Sequence, residues 1–345
     1  MKNKNVIILI ILFIVISTYL LTACTNNQGQ NHEDPTSSPT QVIKESTDQP
    51  TVLPTVEILN SKLLYFAENL PDNQSFEIQD TLQKYAIANN LEFSILDSLD
   101  KEKIQNAKIV FIYEKNENWK QLADEFPDTK FIVVSSQKND LPDNVIQIQT
   151  SSSDLYFVAG YVSAMLAYDW RVGAILPSES YDGTTSSQIF SNGVKFLCGL
   201  CSPIYAPVIF FPTVSMIGDS YDTNAINAAY GEIAINRPNT IFLPSKFLID
   251  DVATNLKQNG HIIISDFDVN QVNKELVDIQ IGFDIAKALN EILDSNLGIE
   301  NLVVRPLIYI QDKNSILSIG KANYLQQILS DLNKGFISPL NFMEE

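Results

Sequence analysis

Few side chains in this 345-residue sequence are of the kinds that do chemistry. Cys198 and Cys201 form a Cys-x-x-Cys pair, the spacing of a local disulfide, of a redox motif or of half a zinc site. A full zinc site needs further ligands, and the sequence offers no second Cys pair and two histidines, His32 and His261. The pair therefore reads as a local bridge or as two free buried thiols, with redox or metal chemistry as the remaining alternative. His261 precedes Asp266 and Asp268, which invites an acid–base reading, but it heads a β-branched run and reads as a strand residue. No nucleophile elbow, Walker loop or GxGxxG element occurs. The residues point to binding rather than catalysis, and they call for no cofactor.

The third thiol, Cys24, stands in Leu21-Thr22-Ala23-Cys24, behind Lys2, Lys4 and an apolar run over residues 6–21. That run spans at most about 24 Å as a helix, short of a bilayer core of about 30 Å. It reads as a secretory signal over residues 1–23 that is removed, with a thiol where lipidation and cleavage need one; the alternative is a slightly short transmembrane anchor that is retained. With Cys24 acylated, Cys198 and Cys201 remain as a pair in an oxidising compartment.

Residues 24–60 are rich in Asn, Gln, Ser, Thr, Pro and Asp and lack the apolar residues to bury a core, so they read as a flexible tether. Residues 61–345 are long enough for one large or two medium lobes. The formal charge is −18, and without Lys2 and Lys4 it becomes −20. A chain this acidic is a poor partner for nucleic acid or anionic lipid heads, and nucleic-acid binding is excluded as its main role.

The elements that must position a site alternate. Short β-branched or aromatic runs occur at 63–66, 93–96, 108–113, 130–134, 172–176, 207–211, 240–243 and 261–265. Stretches of helical length lie between them, at 75–89, 119–125, 154–168, 185–197, 224–235, 249–258 and 282–294. Strands separated by helices predict α/β architecture with parallel sheets. The segment 155–167 is apolar almost all round and must be buried where lobes meet. Ligands of such sheets sit at the carboxyl ends of strands, so the loops that follow these strands, beginning with residues 67–77, are the ones to read closely.

Those loops carry a resemblance. Asp72-Asn73-Gln74-Ser75-Phe76 resembles the Asp-Asp-Lys-Ser-Phe-Asn element of the basic membrane protein family, nucleoside-binding lipoproteins of ABC importers. Glu125-Phe126-Pro127-Asp128-Thr129-Lys130-Phe131, Tyr156-Phe157-Val158-Ala159-Gly160-Tyr161 and Phe190-Ser191-Asn192-Gly193-Val194-Lys195 are similar to further family strings. So are Ser220-Tyr221-Asp222 and Ile264-Ser265-Asp266-Phe267-Asp268. The six follow the family order over about residues 61–290. Leu21-Thr22-Ala23-Cys24 likewise resembles the bacterial lipoprotein signal.

The resemblance implies two Rossmann-like lobes of type I periplasmic-binding-protein (Venus-flytrap) architecture, lobe 1 at about 61–170 plus C-terminal segments and lobe 2 at about 171–285. It implies a chain lipid-anchored at the extracytoplasmic face of the cell membrane that captures a nucleoside-like solute for an ABC permease. The implied ligand residues are Asn69, Asp72, Ser75, Phe76, Tyr221, Asp222, Asp266 and Asp268. Phe76 and Tyr221 can sandwich a flat base, and the aspartates can accept hydrogen bonds from sugar hydroxyls. The competing reading packs Phe76 in a core and makes the aspartates helix caps. Asn73, Gln74 and Glu77 depart from the pattern, as does Pro244-Ser245-Lys246-Phe247 where a Gly-rich loop is expected. A sugar or other small polar solute, bound by a sensor, is the alternative.

Overall fold

The computed structural model describes residues 61–68, 70, 72–113, 118–137, 140–181, 183–202, 208–218, 222–267 and 273–340. The expected signal and tether with Cys24, and Asn69, Tyr221 and Asp268, lie outside the described residues. Among those residues no helix is long and apolar enough to cross a membrane.

The chain starts with β1 (Lys62–Ala67), α1 (Asp72–Ala88), β2 (Glu92–Ile95), α2 (Lys101–Ile104), β3 (Ala107–Tyr113), α3 (Asn118–Glu125), β4 (Lys130–Ser135) and β5 (Val145–Gln149). It continues through α4 (Ser152–Leu166), β6 (Val172–Pro177), the short pair β7 (Ser180–Tyr181) and β8 (Thr184–Thr185), α5 (Ser186–Cys198) and β9 (Thr213–Ile217). Then come α6 (Thr223–Ala234), β10 (Thr240–Phe242), α7 (Asp250–Gln258), β11 (Ile262–Asp266) and β12 (Ile279–Phe283). The last elements are α8 (Ile285–Glu291), β13 (Leu302–Val304), β14 (Ile308–Asp312) and α9 (Ile319–Asn333).

Two sheets result. The first has the order β13-β5-β4-β3-β1-β2 and is parallel throughout. The second has the order β14-β12-β11-β10-β6-β9 and is parallel except for the antiparallel β12/β14 pair. Strands buried on both faces need apolar residues at consecutive positions, which is why they read as β-branched runs. In the first sheet Leu63, Tyr65, Ile109, Phe111, Ile132 and Ile146 pack against α1 and α8. Their neighbours Leu64, Phe66, Val110, Ile112, Phe131 and Val133 pack against Trp119, Leu122 and Ala123 of α3. In the second sheet Ala174, Leu176, Phe242, Ile264 and Ile281 face α4, α5 and α9, and Ile175, Ile241, Leu243 and Ile263 face α6 and α7.

The chain passes between the sheets three times: from β5 into α4 at Thr150 and Ser151, from β12 into α8 at Asp284, and from β13 into β14 through Arg305, Pro306 and Leu307. These crossings correct the expected lobe boundary. α4 was placed with lobe 1, but its residues from Tyr156 to Met165 belong to the core of the second sheet, so lobe 2 begins at about residue 151 and also takes β14 and α9. Lobe 1 keeps β1 to β5, α8 and β13. The burial foreseen for residues 155–167 is present, within one lobe rather than between two.

Two further expectations move. The described part of the apolar run at 207–211 is irregular rather than a strand, and β9 starts beyond Pro212. The segment 282–294 is not wholly helical, because Gly282 and Phe283 end β12 and the helix starts at Ile285. Cys198 and Cys201 are disulfide-bonded, with Cα atoms 5.1 Å apart, which selects the local bridge.

The contact between α4 and α5 is unusually close. A Cβ on Gly160 would lie 2.1 Å from the carbonyl oxygen of Phe190, and one on Gly193 would lie 1.9 Å from that of Phe157. The two helices therefore meet backbone to backbone, which residues with side chains do not allow.

Candidate functional site

Two cavities lie between the sheets at the crossings. The larger, about 820 Å³, is lined from lobe 1 by Ser136 and Gln137 beyond β4 and by Gln149 and Thr150 at the end of β5. Ser151, Ser152, Ser153 and Asp154 at the start of α4, and Ser180 and Tyr181 beyond β6, supply the lobe 2 side. Phe283 and Arg305 line it from the crossings, and Asn333, Gly335, Ile337, Ser338 and Leu340 close another side. The smaller, about 260 Å³, is lined by Gln74, Glu77 and Ile78 of α1, by Phe267, Lys274 and Asp284, and by Tyr309 and Gln311 of β14. Phe283 lines both.

The larger cavity has the composition of a site for a polar solute. Hydroxyls and amides of Ser, Thr, Gln and Asn share its lining with Asp154 and Arg305, with an apolar wall of Ile308, Leu329, Leu332, Ile337 and Leu340, and with the aromatic side chains of Tyr181 and Phe283. Ser151 caps α4 by accepting from the Asp154 backbone N–H at 3.2 Å. Burial pushes the Asp154 carboxyl up from its usual range, while the Ser151 hydroxyl and the Arg305 charge pull it down.

A chain of side chains joins the carboxyl ends of the lobe 2 strands. The Tyr181 hydroxyl donates to the Glu179 carboxylate, and Lys246 Nζ donates to the other Glu179 oxygen at 3.1 Å. Burial, and then the bond to Glu179, push the Tyr181 hydroxyl up to about 12. The Tyr181 ring lies 6.0 Å from that of Tyr156, tilted by 52°.

Of the expected ligand residues, Ser75 sits in the first turn of α1 with its hydroxyl 2.8 Å from that of Tyr65 and accepting from Gln79 Nε2 at 2.9 Å. Phe76 is 73% exposed, which removes the core reading for it, and it lines neither cavity. Asp72 is the first residue of α1. Asp222 caps α6, accepting from the Ala225 N–H at 2.8 Å. Asp266 ends β11 and accepts from the Ser245 N–H at 3.1 Å, while its neighbour Phe267 reaches the smaller cavity. So α1 and the end of β11 do border a shared cavity, through Gln74, Glu77 and Phe267 rather than through Phe76 and Asp266.

His261 is at the opposite end of β11 from Asp266, about 16 Å away along an extended strand. Its Nδ1 donates to the Pro238 carbonyl at 3.0 Å, which leaves Nε2 to accept from the Tyr230 hydroxyl at 2.9 Å. It is a structural strand-end residue. Among the described residues no group of three His, Cys, Asp or Glu could hold a metal ion.

Tyr181, Glu179, Phe283 and Arg305 were not singled out from sequence, and Lys246 stood out there only as part of a departure from the family pattern. The run Thr150-Ser151-Ser152-Ser153-Asp154, a polar helix start after a strand, is the signal that could have found the cavity.

No protein-family model and no curated protein matches this chain. Solved structures do. A transcriptional activator of the comK gene from Bacillus halodurans superposes with a TM-score of 0.59 at 11% identity, covering 81% of this chain and 100% of that one. A solute-binding protein of an ABC transporter system from Conexibacter woesei gives a TM-score of 0.55 at 13% identity, covering 80% and 97%. One from Aeropyrum pernix gives 0.55 at 10% identity, covering 81% and 92%. The fold is that of a type I periplasmic binding protein. At these identities the likeness is one of fold, and a type I fold serves transport proteins and regulators alike.

Proposed function

We propose that the chain is an extracytoplasmic solute-binding lipoprotein, anchored through Cys24, that captures a small polar molecule in the larger cavity and presents it to an ABC permease. The observation that carries the reading is that cavity: about 820 Å³, lined by hydroxyls, amides and two aromatic rings from both lobes and from the segments that join them. A molecule held there contacts both lobes at once, so binding favours their closure. The solute-binding proteins among the fold relatives and the resemblance to the basic membrane protein family support the same role.

The solute class is nucleoside-like, with its ring on an aromatic face and its sugar hydroxyls on the serine and amide groups. A free sugar is the second reading, favoured by the position of Phe76 outside both cavities.

A thermal-shift screen of the full chain over nucleosides, bases and sugars tests this. A true solute at a hundredfold excess over its Kd adds about 2.7 kcal/mol of stability. Mass spectrometry of the mixture should return the solute unchanged; turnover abolished by one substitution in the cavity would overturn the binding role. Mass spectrometry of the mature N-terminus should find an acylated Cys24, and an unmodified N-terminus sinks the anchor.

A further inference from the structure

Tyr181 is held more firmly than a loop aromatic needs to be. It belongs to the β7/β8 pair, in which it faces Thr184. The turn between these strands contains Gly183 at φ +82°, a conformation that favours glycine. The base of the pair is fastened by the Ser186 N–H to the Glu179 carbonyl at 3.0 Å and by the Ser186 hydroxyl to the Pro177 carbonyl at 2.5 Å. Thr185 and Gln188 then form a capping box that starts α5.

The hydroxyl is equally committed. A tyrosine has one O–H proton, and here it goes to the Glu179 carboxylate, whose charge is balanced by Lys246. Lys246 comes from the loop beyond β10, so the ring's position depends on two strand ends of the same sheet. Tyr181 thus lines the cavity with its one hydroxyl donor already engaged, which leaves its ring as the part open to a solute.

We propose that Tyr181 is the specificity-determining residue of the larger cavity, that Glu179 and Lys246 are its positioning residues, and that the selected solute carries a ring with an apolar face. This rests on the solute-binding reading of that cavity and deepens it. A solute that requires a hydroxyl donor at this point is rejected, because meeting it would break the bond to Glu179. A pyranose and a nucleobase both offer an apolar ring face, and the test separates them.

The test is calorimetric titration of the full chain in detergent with adenosine, inosine, uridine, ribose, glucose and galactose. For whichever solute binds, Tyr181→Ala should weaken affinity by about five- to 100-fold. Glu179→Gln, Lys246→Met and Tyr181→Phe should each weaken it by about two- to tenfold, the effect of losing a pre-ordered side chain. The Glu179→Gln, Tyr181→Phe double variant should be no worse than the poorer single, because both break one bond. Unchanged affinity in Tyr181→Ala overturns the proposal and leaves the solute-binding role standing.

A second measurement needs no solute. In a 3-fluorotyrosine-labelled chain, the signal missing from Tyr181→Phe should be single and sharp, and should shift or broaden in Glu179→Gln and Lys246→Met. An unaltered signal in both removes the positioning role. A chain that binds none of the six solutes sinks the solute reading and the selection role with it, and the positioning role is then judged on the fluorine signal alone.

Discussion

Replacing Gly160 by alanine sets helix propensity against packing. Alanine favours a helix over glycine by about 1 kcal/mol, so propensity alone predicts a gain in stability. Ordinary contact begins at 3.4 Å, so the new methyl group must push α5 back by about 1.3 Å, and Gly193→Ala by about 1.5 Å. The obstacle is a backbone carbonyl, which has no rotamer through which to yield. Moving α5 also opens the layer of Phe157, Tyr161, Phe190 and Val194 that fills the lobe 2 core. A radial gap of 0.5–1 Å forfeits about a quarter to a half of a dispersion well. The cost thus lies at the upper end of the about 1–3 kcal/mol typical of overpacking, and about 2 kcal/mol of destabilisation remains after the propensity gain. That corresponds to a fall in Tm of about 4–8 °C, read by calorimetry and by urea denaturation of the full chain. One retreat of α5 relieves both clashes, so the double variant should lose less than the sum of the singles. A Gly160→Ala chain as stable as wild type, or more so, would refute the backbone contact.

Three other outcomes follow from the structure. The disulfide between Cys198 and Cys201 spans a separation of three residues, so opening it with serines should cost no more than about 2 kcal/mol in denaturation, and a larger loss would mean that it does more than tie off α5. Burial raises the folded-state pKa of Asp154, so its contribution to stability is fully present below the unfolded carboxylate range and is lost as pH rises through the raised value. Asp154→Asn should therefore gain on wild type between pH 4 and pH 7, and a pH-independent difference in melts would contradict the burial. Phe76 is 73% exposed, so Phe76→Ala should change stability by less than about 0.5 kcal/mol, against about 3–5 for a core phenylalanine.

Much of the fold was legible because parallel strands buried on both faces advertise themselves. The runs containing Leu63, Val110, Ile132, Ile175, Ile241 and Ile263 each mark a strand of the structure. The later strands and the C-terminal elements were harder. β5 alternates Val145, Ile146, Gln147 and Ile148, and its buried Gln147 interrupts the apolar run; β12 merges into the helical pattern that begins two residues later. β13, β14 and α9 were not assigned, although α9 completes the lobe 2 core with Leu325, Ile328 and Leu329. The lobe assignment of α4 could not be read from its composition, since an all-round apolar helix suits either sheet; the glycine pair with α5 decides it. The site was less legible still. Asp222 carries a capping geometry that its sequence shares with a ligand role, and Glu179, Tyr181 and Lys246 are ordinary residues whose meeting depends on strand order.

The two cavities share a boundary. Tyr309 and Gln311 of β14 line the smaller one and Ile308 the larger, and alternate residues of a strand point to opposite faces, so the cavities lie on either side of β14. Phe283 lines both, so a change in the position of that side chain alters the wall of each cavity at once.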